Sequence, residues 1–368
     1  MARPALANID LIALRHNYER LRVLHGGRAV AVLKANAYGH GAVRCAQALC
    51  DIADGFAVAF LEEAVALRDA GIGAPLLVLE GMFDAQDLHV AQRLDLWIVV
   101  HHEAQLRMIE LSTCTRPLHV WLKLNTGMAR AGFAPKDAEA VHARLRSTGR
   151  VEQITLMSHF ARADERGADA TIAQIQCFDS ATAGIAGDRS LCNSAGVLAW
   201  PEARRDWARP GIALYGADPI PSGKHGLLPV MSLESQVFAV RDLQPGDALG
   251  YGARFVATRP TRVGLVAMGY ADGYPRTAPE GTAVLVDGHR TRIIGRVSMD
   301  MITVDITDIP SAGIGSRVEL WGARISVNDV AQASGTIAYE LLCNVKRVPL
   351  RYSQEPLTHG PRPEAALA

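Results

Sequence analysis

The sequence predicts an N-terminal (β/α)8 barrel of the TIM type over residues 1–230, followed by a mostly antiparallel β domain over residues 231–368. Three observations carry this. Short apolar runs alternate with helical patterns until about residue 225. Repeated β-α units imply a parallel sheet with right-handed crossovers, and eight of them in roughly 230 residues is the size of such a barrel. Beyond that point the runs become rich in Val, Ile and Thr and are punctuated by hairpin turns, D-G at Asp287-Gly288 and P-G-D at Pro245–Asp247. Finally, a doubly wound open sheet, the alternative, usually places G-x-G-x-x-G after its first strand, and this chain has no such motif.

The elements follow in order. A short apolar segment from Asn8 leads to Asp10, an N-cap for a helix carrying Leu11, Leu14, Tyr18 and Leu21 at helical spacing. Barrel strands are expected at Ala29–Lys34, Gly55–Phe60, Pro75–Leu79, Leu94–Val100, Leu118–Leu124, Gln153–Phe160, Ser190–Cys192 and near Trp207–Leu214. The Pro/Gly-rich stretch before Ser232 marks the boundary. The second domain should hold strands at Leu233–Arg241, Arg262–Met268, Thr282–Val286, Arg290–Ile294, Met301–Ile306 and Arg317–Leu320, with a helix near Val327–Ala333. The proline- and alanine-containing tail after Gln354 is expected to fray.

Composition excludes several classes. Charges balance at 38 basic and 38 acidic residues, against the basic excess of a nucleic-acid or anionic-membrane binder. The 49% hydrophobic content supports a large core. No apolar run approaches the roughly 20 residues of a membrane span, and the N-terminus lacks a signal-peptide core. Six cysteines (Cys45, Cys50, Cys114, Cys177, Cys192, Cys343) show neither C-x-x-C nor metal-ligand spacing. They read as reduced thiols in a cytoplasmic protein.

The run A-V-A-V-L-K ends in Lys34. A strand buried on both faces has no place for an ammonium, so Lys34 belongs where the strand leaves the sheet. In α/β folds that edge binds ligands. Burial lowers a lysine's pKa and frees its amine to attack a carbonyl. The same strand-end reasoning gathers Arg130, His159, Ser194 and Arg209 at one face. Lys123 alternates with Trp121 on the inner face of its strand. A bare ammonium there is costly unless paired, so its head must reach a carboxylate or the barrel mouth.

The motifs K-A-N-A-Y-G-H-G (34–41), K-L-N-T-G-M-A-R-A-G-F (123–133), M-S-H-F-A (157–161), N-S-A-G (193–196) and R-P-G-I-A-L-Y-G (209–216) precede G-Y-G-A-R-F (250–255), G-Y-A-D-G-Y (269–274), G-R-V-S-M-D (295–300) and T-I-A-Y-E (336–340). Together they resemble the alanine racemases, fold-type III enzymes that use pyridoxal 5′-phosphate (PLP), across nearly the whole chain. The resemblance implies a homodimer with shared sites that interconverts L- and D-alanine. Lys34 would carry PLP and act as one base. Tyr251 of the partner subunit would be the other, supported by His159 and Arg209. Tyr38, Asn193, Ser194, Tyr339 and the backbone of Gly211 and Ile212 would hold the cofactor's phosphate region. Arg209 would face the pyridine nitrogen, where, unlike a carboxylate, it cannot hold a proton on the ring, favouring plain proton exchange over transamination. Arg130, oriented by a carbamylated Lys123, and the backbone of Met299 would contact substrate. Asp164, Tyr270, Arg276, Arg296 and Ile337 would line the entrance.

Three rivals are weighed. A decarboxylase of the same architecture would bring Gly-rich phosphate loops and a catalytic cysteine in the second domain, where Cys343 stands alone. A PLP-binding barrel without catalysis would lack the second domain. A racemase of serine, lysine or arginine would share the chemistry and differ only in pocket size.

Overall fold

The computed structural model describes residues 3–113, 116–220 and 223–353. The tail expected to fray, and Cys114, lie outside these residues. The chain divides into two compact units, one comprising Arg15–Leu214 with Asp218–Leu227, the other the chain's start to Leu14, Tyr215–Ala217 and the residues from Leu228 onward.

The first unit is a nearly closed parallel barrel of eight strands. Numbering the first strand of the chain, Leu6–Asp10, as β1, the barrel runs β2 (Arg28–Val32), β3 (Gly55–Val58), β4 (Leu76–Val78), β5 (Trp97–Val100), β6 (Leu118–Lys123), β7 (Val151–Met157), β8 (Asp188–Ser190) and β9 (Trp207–Ala208). From β2 to β8 each strand pairs with its sequence neighbour, and β9 pairs with β2. Across the seam between β8 and β9, the Arg209 N–H donates to Cys192 O at 2.8 Å and Ser190 Oγ to Trp207 O at 2.8 Å. The strands read as Val-, Leu- and Ala-rich runs because both faces are buried. Trp97, Trp121 and Trp207 fill the interior, with ring centroids 5.5–6.3 Å apart. On β6 the inward face therefore reads His119, Trp121, Lys123, which carries Lys123 to the C-terminal mouth.

The observed strands are mostly shorter than the apolar runs. Leu94–Leu96 is a turn, with Asp95 at φ 54°, so β5 starts at Trp97. The Trp207–Leu214 run breaks at Pro210-Gly211, and Ile212–Tyr215 forms a 3-10 turn. The first helix runs Leu11–His25, and Asp10 Oδ1 accepts the N–H groups of Ile12 and Ala13, both at 2.9 Å, as its sequence position predicts.

The second unit is built on the 13-residue strand Met231–Leu243, which pairs antiparallel with β1, Thr261–Val266 and Arg317–Trp321. β1 also pairs parallel with Leu350–Ser353. This apolar segment is thus a strand of the β unit, where its local sequence reads only as the lead-in to a helix. The Asp287-Gly288 turn, with φ of 45° and 84°, joins the hairpin Ala283–Val286 and His289–Arg292. The helix Val327–Ala333 lies where expected, followed by a second, Ala338–Cys343.

Candidate active site

Lys34 leaves β2 into an unusual turn. Ala35, Asn36, Ala37 and Tyr38 all take left-handed φ between 51° and 55°. For residues with a Cβ this costs about 1–2 kcal/mol each, so the turn must be held from outside. The Ala35 N–H donates to Glu63 Oε1 at 2.6 Å, the Ala42 N–H to Asn36 Oδ1 at 2.9 Å, and His40 Nδ1–H to the carbonyls of Ala37 and Tyr38. Full burial keeps His40 neutral, with a pKa lowered to about 4. The turn folds Tyr38 into the barrel, where its hydroxyl lies against Gly211. A Cβ on Gly211 would stand 2.5 Å from Tyr38 Oη. The approach requires bare backbone.

Ser194 completes this corner. Its Oγ accepts the N–H groups of Gly211 at 2.9 Å and Ala213 at 3.2 Å. Asn193 caps the short helix Ser194–Ala199 by accepting the Gly196 N–H at 2.9 Å. Ile212, 1% exposed, opens the following 3-10 turn.

The barrel unit also carries the cations. Arg209, 4% exposed, donates to Ser190 Oγ, to Ser158 O at 2.5 Å and to Leu191 O at 3.2 Å. Burial pushes its pKa down to about 10, still far above neutral pH. Lys123 is 8% exposed. Its pKa is lowered, first by burial and then by Arg209, Arg130 and Lys34, while Glu80 acts in the opposite sense. His159 is held well below 6.5, again by burial first and then by Arg209, Lys123, Arg130 and Lys34. Lys34, Lys123, Arg130, His159 and Arg209 therefore share one field at the C-terminal ends of β2, β6, β7 and β9, the gathering that strand-end reasoning expects. Asp164 sits exposed in the loop after β7.

In the β unit the predicted residues are largely exposed. Tyr251 is 69% exposed at the tip of a short hairpin, Met299 53%, Ile337 60% and Tyr339 38%. Tyr270 and Arg276 line one groove with Thr336 and Lys346. Arg296 is half-buried. The Tyr270 and Ala271 N–H groups donate to Ser298 O and Met299 O, which fixes the G-Y-A-D-G-Y turn against the Met299 segment.

Sequence reasoning missed the residues that hold these groups. Ser158 and Ser190 anchor Arg209, Glu63 anchors the Lys34 turn, and Glu80 faces the Lys123 field. The signal for the serines was slight, since a polar residue at an apolar strand's end can simply begin a loop.

Two family models match the chain: the alanine racemase N-terminal domain over residues 9–219 and the alanine racemase C-terminal domain over residues 230–352. The chain belongs to the alanine racemase family. It is 64% identical over 350 residues to an alanine racemase of Azoarcus sp. strain BH72, covering 95% of this chain and 99% of that one. The crystal structure of the biosynthetic alanine racemase of Pseudomonas aeruginosa superposes with a TM-score of 0.93 at 49% identity, covering 96% of this chain and all of that one. An alanine racemase of Bartonella henselae with covalently bound pyridoxal phosphate superposes at 0.86, with 29% identity over 96% of this chain and 100% of that chain. The chain is an enzyme, and its reaction interconverts L- and D-alanine. No helix among the described residues is long and apolar enough to cross a membrane.

Proposed function

We propose that this racemase binds PLP in its barrel mouth and moves the alanine α-proton between two bases, Lys34 on one face and Tyr251 of the partner subunit on the other. The observation that carries this reading is the pairing of a cation cluster with a bare-backbone cradle. Lys34, Lys123, Arg130 and Arg209 share one field with Glu80 as the opposing acid among Lys123's neighbours. Such a field suits an anion. The Gly211 corner, with Ser194 Oγ against its N–H and Tyr38 Oη above it, suits phosphate oxygens approaching backbone. These residues fit the cofactor. Lys34 would hold its carbonyl carbon, Tyr38, Ser194, Gly211 and Ile212 its phosphate, with Asn193 fixing the helix start and Tyr339 in support, and Arg209 its ring nitrogen. Bound there, PLP supplies an electron sink for negative charge at the alanine α-carbon.

The remaining work is done by side chains. Lys34 Nζ exchanges the α-proton of D-alanine. Tyr251 Oη exchanges that of L-alanine. A tyrosine with an ordinary pKa of about 10 needs positive potential to act as a base near neutrality, and His159 backed by Arg209 offers it. Arg130 and the Met299 backbone hold the substrate carboxylate. Asp164, Tyr270, Arg276, Arg296 and Ile337 line the entrance. Burial and the neighbouring cations favour loss of a proton from the Lys123 ammonium. The free amine is then suited to add to carbon dioxide, releasing a second proton and leaving a carbamate that pairs with Arg130. The homodimer is supported by the exposure of Tyr251, Met299 and Ile337, apolar or aromatic groups of the kind covered on assembly. We assign the enzyme to the cytoplasm.

Complementation tests the shared site. Lys34→Ala and Tyr251→Phe homodimers should each be inactive. After mixing and subunit exchange, roughly a quarter of the sites should combine an intact Lys34 with an intact Tyr251, as a two-fold interface requires. Recovery of activity on mixing is the expected result. Two variants that stay inactive while exchanging subunits would overturn the cross-subunit assignment.

A further inference from the structure

We propose that Gln174 is a positioning residue for racemisation, clamping the His159-bearing and Arg130-bearing loops in one arrangement through its side-chain amide. Gln174 lies on the helix Asp169–Thr182 and is 2% exposed. Its Oε1 accepts the Ala161 N–H at 2.9 Å, while its Nε2 donates to His159 O at 3.0 Å and to Thr126 Oγ1 at 3.3 Å. One amide thus holds the chain on both sides of Phe160 and reaches the loop after β6.

The second loop is shaped to receive it. Gly127 has φ +147°, and a Cβ there would lie 3.1 Å from Gln174 Cγ. From Thr126 the chain of contacts continues inward. Thr126 Oγ1 and Ser158 Oγ are 2.7 Å apart, and Ser158 Oγ also donates to Leu124 O at 2.8 Å. Ser158 O in turn accepts from Arg209. Three residues onward from Gly127 stands Arg130. A buried network of this kind is specific only if its members are satisfied, and each of these hydroxyl and amide groups has a partner.

A buried glutamine could serve stability alone. The arrangement says more. Its bonds go to the His159 carbonyl and to the N–H two residues on, so they set where the imidazole emerges from β7. They do so in the field of Arg209, Lys123, Arg130 and Lys34. Loss of the clamp should let the His159 loop open toward water, and its pKa should rise toward 6.5.

This inference rests on the role proposed above for His159. The experiment compares holoenzymes carrying Gln174→Met, Gln174→Glu and His159→Asn. Met keeps length and packing without hydrogen bonds. Glu keeps the acceptor for the Ala161 N–H and loses the donors. Racemisation kcat, KM for alanine, its pH profile and NMR titration of labelled histidine are measured on each. Gln174→Met should lower kcat about tenfold with KM changed less than about threefold, and move the His159 titration and the acid limb upward. A purely structural role would lower the melting temperature without moving either. If Gln174→Met fails to fold, Gln174→Glu decides by the same readouts. Unchanged kcat and an unchanged acid limb in a folded variant would overturn the proposal. If His159→Asn itself keeps wild-type kcat, the reading of His159 falls. If only His159→Asn is impaired, that reading stands and Gln174 is merely packing.

Discussion

The two units prepare their site residues in opposite ways. In the barrel mouth Tyr38, Lys123, Ser194, Arg209 and Ile212 are buried, while Lys34 is half-buried and Arg130 and Asp164 are exposed. The Arg209 guanidinium makes three hydrogen bonds at 4% exposure of the residue, and the Lys34 turn is pinned from Glu63, Asn36 and His40. In the β unit Tyr251 stands 69% exposed at a hairpin tip and Met299 is 53% exposed. One chain can preorganise a cofactor cradle by itself, because burial and hydrogen bonds fix the geometry at folding. An exposed side chain gains a fixed geometry only when another surface covers it. The comparison therefore assigns folding determinants to the barrel residues and assembly determinants to the β unit.

Tyr251→Phe breaks the comparison most sharply. Removing one exposed hydroxyl should leave the melting temperature unchanged while reducing isotope exchange at the α-carbon of L-alanine by about 10³-fold, the scale of a lost general base. Exchange from D-alanine, served by Lys34, should survive. Unchanged exchange from both enantiomers would sink the two-base assignment.

Gly211→Ala should follow in size. The new methyl would meet Tyr38 Oη at 2.5 Å and Cζ at 3.2 Å, and Tyr38 is itself 6% exposed, with left-handed backbone. The ring has little room to retreat. PLP affinity should fall about 10–100-fold, with part restored in the Tyr38→Phe background. Gly246 in the β unit has φ +97° and nothing within 4 Å of an added Cβ. Gly246→Ala should cost only about 1–2 kcal/mol of backbone strain and leave cofactor affinity alone. Equal cofactor loss in both variants would mean that Gly211 reports general stability and not a cradle.

What the sequence made legible follows the same division. The strand-end residues Lys34, Lys123, His159 and Arg209 stood out because a charged or titratable group after an apolar run conflicts with its surroundings. The Asp10 cap and the Asp287-Gly288 turn were legible because their chemistry is local. The left-handed turn after Lys34 was not. Its conformation is imposed by Glu63 and His40, and an A-N-A-Y string carries no sign of four consecutive positive φ values. The place of β1 in the β unit was hidden too, since it depends on pairing with strands more than 200 residues away. Gln174, Ser158 and Ser190 were invisible for a third reason. A polar residue that holds a neighbour looks like any polar residue until its partners are known.

Acid sharpens the comparison by a smaller amount. His25, His40 and His119, all in the barrel unit, have pKa values lowered to about 4, in each case chiefly by burial. Their folded values lie below the ordinary 6.5. The unfolded chain therefore takes up protons that the folded chain refuses as pH falls below 6.5. The stability these groups contribute is present above 6.5 and is lost progressively toward pH 4. For the fully enclosed His40 the loss is about 2 kcal/mol at pH 5. The described histidine of the β unit, His289, is exposed on its hairpin. Hydrogen exchange at pH 7.5 and pH 5, corrected for intrinsic rates, should thus show protection falling first around β2 and the Lys34 turn, with the strand Met231–Leu243 holding longer. His40→Gln, which keeps a donor for the two carbonyls and cannot titrate, should flatten the barrel's share of that loss. If the β unit loosens first, the barrel's buried histidines are not the acid-sensitive element.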